Sequence, residues 1–277
     1  MVADIYDERL CRLGEGPFWH SERAELFWFD ILSRKLHTKD QEWRFEDAHS
    51  AAALTTDGDL LVASETGLYL FDLETSGRKP VIAIEADNPV TRSNDGRVDP
   101  QGGFWIGTMG WNAEAGAGAI YRFYKGEVRC LFPGITISNS ICFAPDGRRA
   151  YFSDTPTAQI MSVSLDPDGW PVGAPEVFVA DAPGCDGAIC DGEGFVWSAR
   201  WGDSCIIRHA PDGGIDHIET LPAPQVTCPA LSPDGVLYAT TAYEGLDVQS
   251  RAGAPYSGAT FEVCRGVPPR IESRVIL

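Results

Sequence analysis

The sequence predicts an all-β fold, a six-bladed β-propeller of four-stranded antiparallel blades, with residues 1–277 forming a single domain. Three observations carry this expectation. A turn containing Asp and Gly, followed by an aromatic or aliphatic run ending in a small residue, recurs as TTDGDLLVAS, DPQGGFWIGT, APDGRRAYFSD, DGEGFVWSAR and SPDGVLYATT. Its glycines, Gly58, Gly102, Gly147, Gly194 and Gly235, lie 44, 45, 47 and 41 residues apart, a length that suits four short strands and their turns. No stretch longer than about ten residues keeps a helical apolar period free of Gly or Pro.

Taken in order, the first unit is degenerate. HSERAELFWFD carries Ala24 at the glycine position, 34 residues before Gly58. In later units a second run, such as GLYLFDL, GAIYRFY, IMSVSLD or CIIRHAP, follows the first in hairpin fashion. At the carboxyl end, YSGATFEVCRG and the final RVIL leave a blade in need of a strand from the amino terminus, an exchange that would close the ring. Closure leaves only short edges and puts every innermost strand around a central channel. A two-sheet sandwich is the alternative, and six near-equal periods argue against it.

Composition narrows the partners. The chain is 44% hydrophobic and 22% charged, an ordinary globular mixture. Its formal charge of −18, from 22 basic and 40 acidic residues, repels phosphate backbones and anionic headgroups, so nucleic acid and membrane are not expected partners. A cation is a natural one, although an acidic surface can serve solubility alone. The amino-terminal MVADIYDERLCRLGEG is acidic where a signal peptide is basic and then apolar, and a cytoplasmic location is expected. Eight scattered cysteines without a CxxC pair read as reduced, mostly buried small hydrophobes.

Each blade is a rotated copy of the last, so residues lining one end of the channel share a phase of the repeat. Eight residues before the turn glycines stand Ser50, Asn94, Asn139, Asp186 and Thr227, and nine before Ala24 stands Glu15. All six are polar. Such a ring is costly to desolvate unless it is satisfied. Oxygen ligands without His or Cys suit a hard cation such as Ca²⁺, Mg²⁺ or Mn²⁺; a water-filled polar channel is the other reading.

The local sequences add a resemblance. LGEGPFW around Glu15, RSNDGRVDPQGGFWIGTMG from Arg92, ISNSICFAPDGRRAYFSD from Ile137 and GCDGAICDGEGFVWSARWG from Gly184 resemble the four motif blocks of the senescence-marker-protein (regucalcin)/gluconolactonase family. They stand in the family's order across nearly the whole chain. The resemblance implies one divalent metal at the propeller axis, Ca²⁺, Zn²⁺, Mn²⁺ or Fe²⁺, and hydrolysis of sugar lactones. It also implies metal ligands at Glu15, Asn139 and Asp186, with substrate contacts at Arg92 and Asn94. The segment after GTM is shorter here than in animal members, so Glu114 is not equated with their substrate-contacting Glu.

A metal with open positions can polarise a lactone carbonyl, and Asp186 is then the candidate base. Arg92 would orient the substrate or else pair with Asp95 or Asp99. His49, beside Ser50, is expected to be packed or on the surface, and Trp111, Trp201 and Tyr243 to pack between blades rather than stack on a sugar. No G-x-S-x-G elbow accompanies Ser50 or Thr227. The expected function is thus a metal-dependent aldonolactonase of the gluconolactone, xylonolactone or arabinonolactone type. Three alternatives stand beside it: a calcium-binding regulatory protein without turnover, a hydrolase of a uronic-acid-derived lactone, and a protein-interaction platform.

Overall fold

A computed structural model describes residues 3–277 and contains six four-stranded antiparallel sheets. The first five are consecutive in sequence. Their innermost strands are Gly14–His20, His49–Leu54, Thr91–Val98, Ser138–Phe143 and Cys185–Cys190, and each is followed outward by three more. The sixth blade holds Val226–Leu231, Val236–Thr241 and Thr260–Arg265, and its outermost strand is Asp4–Asp7 from the amino terminus. The expected strand exchange is therefore present. No helix among the described residues is long and apolar enough to cross a membrane.

The repeat alignment holds down to backbone geometry. Gly58, Gly102, Gly147, Gly194 and Gly235 all adopt positive φ, between 70° and 89°, as a turn that reverses the chain between inner and second strand requires. Ala24, at the degenerate position, does the same at φ 51°. Between blades the core is continuous: Phe27, Phe29 and Trp43 of the first pack against Leu60, Val62 and Phe71 of the second. Full burial of each such side chain contributes about 1.5–3 kcal/mol.

Two of the turns are anchored by a buried acid. Asp99 accepts from the amides of Gln101 and Gly103, from Trp105 Nε1 at 3.0 Å and from Arg122 Nε at 2.6 Å. Asp191 repeats this in the fifth blade with Glu193, Phe195, Trp197 and Arg208. Asp99 and Arg122 are both wholly inaccessible, and the guanidinium lies against the rings of Tyr124 and Trp170.

The final segment, residues 267–277, forms no blade strand. It crosses the turn end of the ring instead. Val267 N donates to Gly235 O, Pro268 O accepts from Gly192 N, Val275 N donates to Leu54 O and Ile276 N donates to Gly102 O. Glu272 meets Arg97 of the third blade's innermost strand. This strap covers one end of the channel and leaves the other as the mouth.

Removing one partner of a fully buried pair leaves an uncompensated charge, which costs roughly 3–5 kcal/mol. Asp99→Ala is expected to lower stability by that amount in urea unfolding. Asp191→Ala is expected to lose less, because Arg208 is 14% exposed and keeps Asp216 at 2.8 Å. Equal losses would show that burial of the pair is not what decides.

Candidate active site

Every innermost strand holds one extra residue relative to its neighbour. The shifts fall between Glu15 and Phe18, His49 and Ala51, Ser93 and Gly96, Asn139 and Cys142, Cys185 and Ala188, and Val226 and Pro229. Each interval contains the polar position picked out by counting. A bulge re-aims the side chain at its extra residue. Close approach of the blades accompanies it: a Cβ on Gly16 would collide with the carbonyl oxygen of Ser50, and one on Gly187 with Cys228.

Four of the six ring residues meet in one cavity of about 600 Å³ at the mouth, where Glu15, Asn94, Asn139 and Asp186 are joined by Arg92 and Thr155. The carboxamides are held by defined bonds. Asn94 Nδ2 donates to Ser138 O at 2.9 Å and to Asn139 Oδ1 at 3.1 Å. Asn139 Nδ2 donates to Thr155 Oγ1 at 2.9 Å. Arg92 Nη1 donates to Asn94 Oδ1 and Ser93 O, both at 2.8 Å, while its Nε is buried without a partner. Ser50 and Thr227 do not line the cavity. Ser50 Oγ donates to Ser93 Oγ at 2.8 Å, and Thr227 Oγ1 lies 2.5 Å from Gly14 O and 2.8 Å from Thr240 Oγ1. Both fasten one blade to the next.

The electrostatics are those of two acids forced together. Burial pushes the Glu15 carboxyl up to about 8, and nearby Asp95 adds to the rise. Asp186 is also raised well above the usual carboxylate range, by burial and then by Glu15. Both carboxyl groups line the one cavity. Burial lowers Arg92 to about 10 against the pull of Glu15 and Asp186. Arg92 pairs with neither Asp95 nor Asp99: Asp99 holds Arg122, and Asp95 accepts from the Ile141 amide at 2.7 Å.

Other expectations divide. His49 is buried against Phe45 and Tyr69. Trp201, expected to pack between blades, does pack against the core of neighbouring blades and lines the cavity as well; Trp111, with the same expectation, lines the cavity, and Arg92 lies over its ring at 5.8 Å. Tyr243 lies under Arg251. Glu114 Oε2 accepts from the Asn112 amide and Oε1 from its Nδ2, bonds that hold its own loop. Counting backward from the turn glycines missed Thr155 and Trp111. A hairpin returns its second strand to the same end, so counting seven to nine residues forward would have reached Trp111, Thr155 and Trp201.

The donor set fits a hard divalent cation. Burial raises the proton affinity of both carboxyl groups, and Glu15 adds to the rise at Asp186, which is the condition a cation relieves; carboxamide oxygens stand beside them. Among the described residues there is no group of three or more His, Cys, Asp or Glu side chains arranged for a metal. The polar groups that meet here are instead two acids and two amides, one from each of four blades.

Residues 13–243 match the model of the SMP-30/Gluconolactonase/LRE-like region, and the chain belongs to that family. A putative sugar lactone lactonase of Rhizobium meliloti is 39% identical, over 96% of this chain and 94% of its own. An L-arabinolactonase of Azospirillum brasilense is 34% identical, over 90% and 87%. A crystal structure of a calcium-binding protein, regucalcin, from Agrobacterium tumefaciens superposes with a TM-score of 0.96 at 41% identity, covering 100% of this chain and 98% of that one.

A carboxyl raised on folding binds its proton more tightly in the native state. Glu15 therefore adds stability in full below about pH 4.5, and that contribution is lost as the pH rises through about 8. In chelator, the melting temperature is expected to fall between about pH 5 and pH 8.5, and to fall less in Glu15→Gln. Parallel curves for the two proteins would show that Glu15 is not the group responsible.

Proposed function

We propose, on the premise that the chain belongs to the SMP-30/gluconolactonase/LRE-like family, that it hydrolyses a sugar lactone to the aldonic acid with one divalent cation. The observation that carries this reading is the meeting of Glu15, Asn139 and Asp186 with Arg92 and Asn94 at the buried end of one cavity. Relatives named for lactone hydrolysis at 39% and 34% identity support it.

Glu15, Asn139 and Asp186 would hold the cation, which when bound supplies Lewis acidity to the ester carbonyl. Asp186 accepts the proton of the attacking water as the carbon–oxygen bond to the carbonyl carbon forms. The ring ester bond then breaks, the ring oxygen takes up a proton, and a hydroxy acid leaves. Asn94 is fixed by Arg92 and Asn139, so its carboxamide is preset for a substrate hydroxyl or a water. Arg92 keeps donors beyond those it gives to Asn94 and Ser93; these would orient the lactone oxygens. Ile31, Leu32, Trp111 and Trp201 on the cavity wall give the sugar's C–H faces an apolar seat and thin the water around the reacting bond.

A second reading is favoured by one observation, the likeness to a protein described as calcium-binding: the same ligands would hold calcium without turnover. A guanidinium aimed at a cation site has no use in calcium storage, so Arg92 weighs toward catalysis.

A panel of aldonolactones followed with a pH indicator, with chelator and metal add-back, tests the assignment. Activity is expected on at least one lactone, to vanish in chelator and to return with metal. Asp186→Asn is expected to lower kcat by about 10² to 10⁴, and Asn94→Ala by less. Wild-type turnover in Asp186→Asn at confirmed metal content would remove Asp186 from the role of base.

A further inference from the structure

Ser140 follows Asn139 on the bulge of the fourth blade. It is fully buried and its backbone is left-handed, at φ 56°. At the matching place after Glu15 the chain uses Gly16, at φ 52°. A residue with a Cβ is disfavoured in this conformation, and its persistence in a packed interior means that the surrounding structure holds it there. The hydroxyl shows what is gained. Ser140 Oγ donates to the carbonyl oxygen of Asp186 in the next blade at 2.6 Å and accepts from Ser153 Oγ at 3.0 Å.

A second hydroxyl crosses the same boundary. Thr155 Oγ1 accepts from Asn139 Nδ2 at 2.9 Å and donates to Cys185 O at 2.8 Å. Asn139 and Asp186 stand on different sheets, which are otherwise joined here by apolar packing among Cys142, Ala188 and Cys190. Such packing is non-directional and sets the distance between two sheets only loosely, whereas a site needs its groups fixed to about 0.5 Å. A short, directional bond to the main chain of Asp186 supplies that constraint.

We propose that Ser140 is a positioning residue, whose hydroxyl fixes the main chain of Asp186 against Asn139 and so sets the spacing of two of the groups that hold the cation. This rests on the metal-dependent lactonase reading. Its strained backbone makes the test unusually clean, because Ser140→Gly removes the hydroxyl and relieves the strain in one change.

The measurements are kcat, KM and the dissociation constant for Mn²⁺ by calorimetry, together with the melting temperature in chelator. Ser140→Gly is expected to melt within roughly 4 °C of wild type, yet to lose about 10- to 100-fold in Mn²⁺ affinity or kcat, with KM changed less than kcat. Ser140→Ala, which keeps the strain, is expected to show the same functional loss with a lower melting temperature. Wild-type Mn²⁺ affinity and kcat in Ser140→Gly would overturn the proposal, as would losses that only follow a large fall in melting temperature. Asp186→Asn is the control: if it retains both Mn²⁺ binding and turnover, the parent reading fails, and if it loses them while Ser140→Gly does not, only the positioning role fails.

Discussion

In a propeller the innermost strand of each blade is an edge strand. Side chains alternate between its two faces, each covered by a neighbouring blade, and its unpaired backbone edge faces the axis. Regular pairing therefore keeps side chains out of the channel. The one-residue bulge that recurs in all six inner strands breaks this rule at the mouth end, and everything functional about the ring follows from it. The bulge brings Glu15, Asn94, Asn139 and Asp186 to a common point from four sheets that share no sequence contact. It also forces the backbones close together, which is why Gly16 and Gly187 leave no room for a side chain.

A polar ring in a packed interior must be satisfied, and the two ways in which this chain does so separate stability from function. Ser50 and Thr227 are satisfied by neighbouring blades, so their polarity works as a fastener. The carboxyl groups of Glu15 and Asp186 line the cavity instead, and burial drives both toward the protonated form. Contrast Asp99, equally buried but closed by Arg122, Trp105 and two amides. Asp99, like Asp191, holds a turn in place, while Glu15 and Asp186 hold open a demand for positive charge. Perturbed acids in a cleft, unlike paired ones, mark a site of chemistry.

What the sequence disclosed follows from what a repeat makes local. The turn glycines need positive φ wherever the blade reverses, so Gly58 to Gly235 could be aligned by eye, and even Ala24 keeps the conformation. The missing strand of the last blade was visible because a ring cannot close without it. The phase count reached all four cavity residues of the ring, since rotation copies phase, but it could not separate them from Ser50 and Thr227, whose partners lie in adjacent blades 43 and 213 residues away. Arg92 looked like a partner for Asp95 or Asp99 because they are near in sequence. In space Asp99 belongs to Arg122 and Asp95 to the amide of Ile141. The strap of residues 267–277 was illegible for the same reason: its bonds run to turns up to some two hundred residues away, through backbone atoms that carry no sequence signature.

Both ends of the chain are thus spent on closure, one as the outer strand of the last blade and the other across the turn end of the channel. The mouth is left to the connections between second and third strands, residues 31–34, 65–66, 111–117, 155–158, 201–204 and 242–259, together with the residues that lead into the innermost strands, such as Arg12, Leu13 and Ile137. Their lengths differ widely, whereas the bulges beneath them do not. Ile31, Leu32, Trp111, Ala113, Thr155 and Trp201 all reach the cavity from these loops, while the buried carboxyl and carboxamide groups come from the strands. The buried polar groups and the shape of the cavity rim are therefore carried largely by different parts of the backbone. Apart from Thr155, which bonds Asn139, these loops can change without disturbing the strand pairing that holds Glu15, Asn139 and Asp186. The rigid frame has to satisfy only the bulge and the two closures, so the shape of the cavity is free to be decided at the rim.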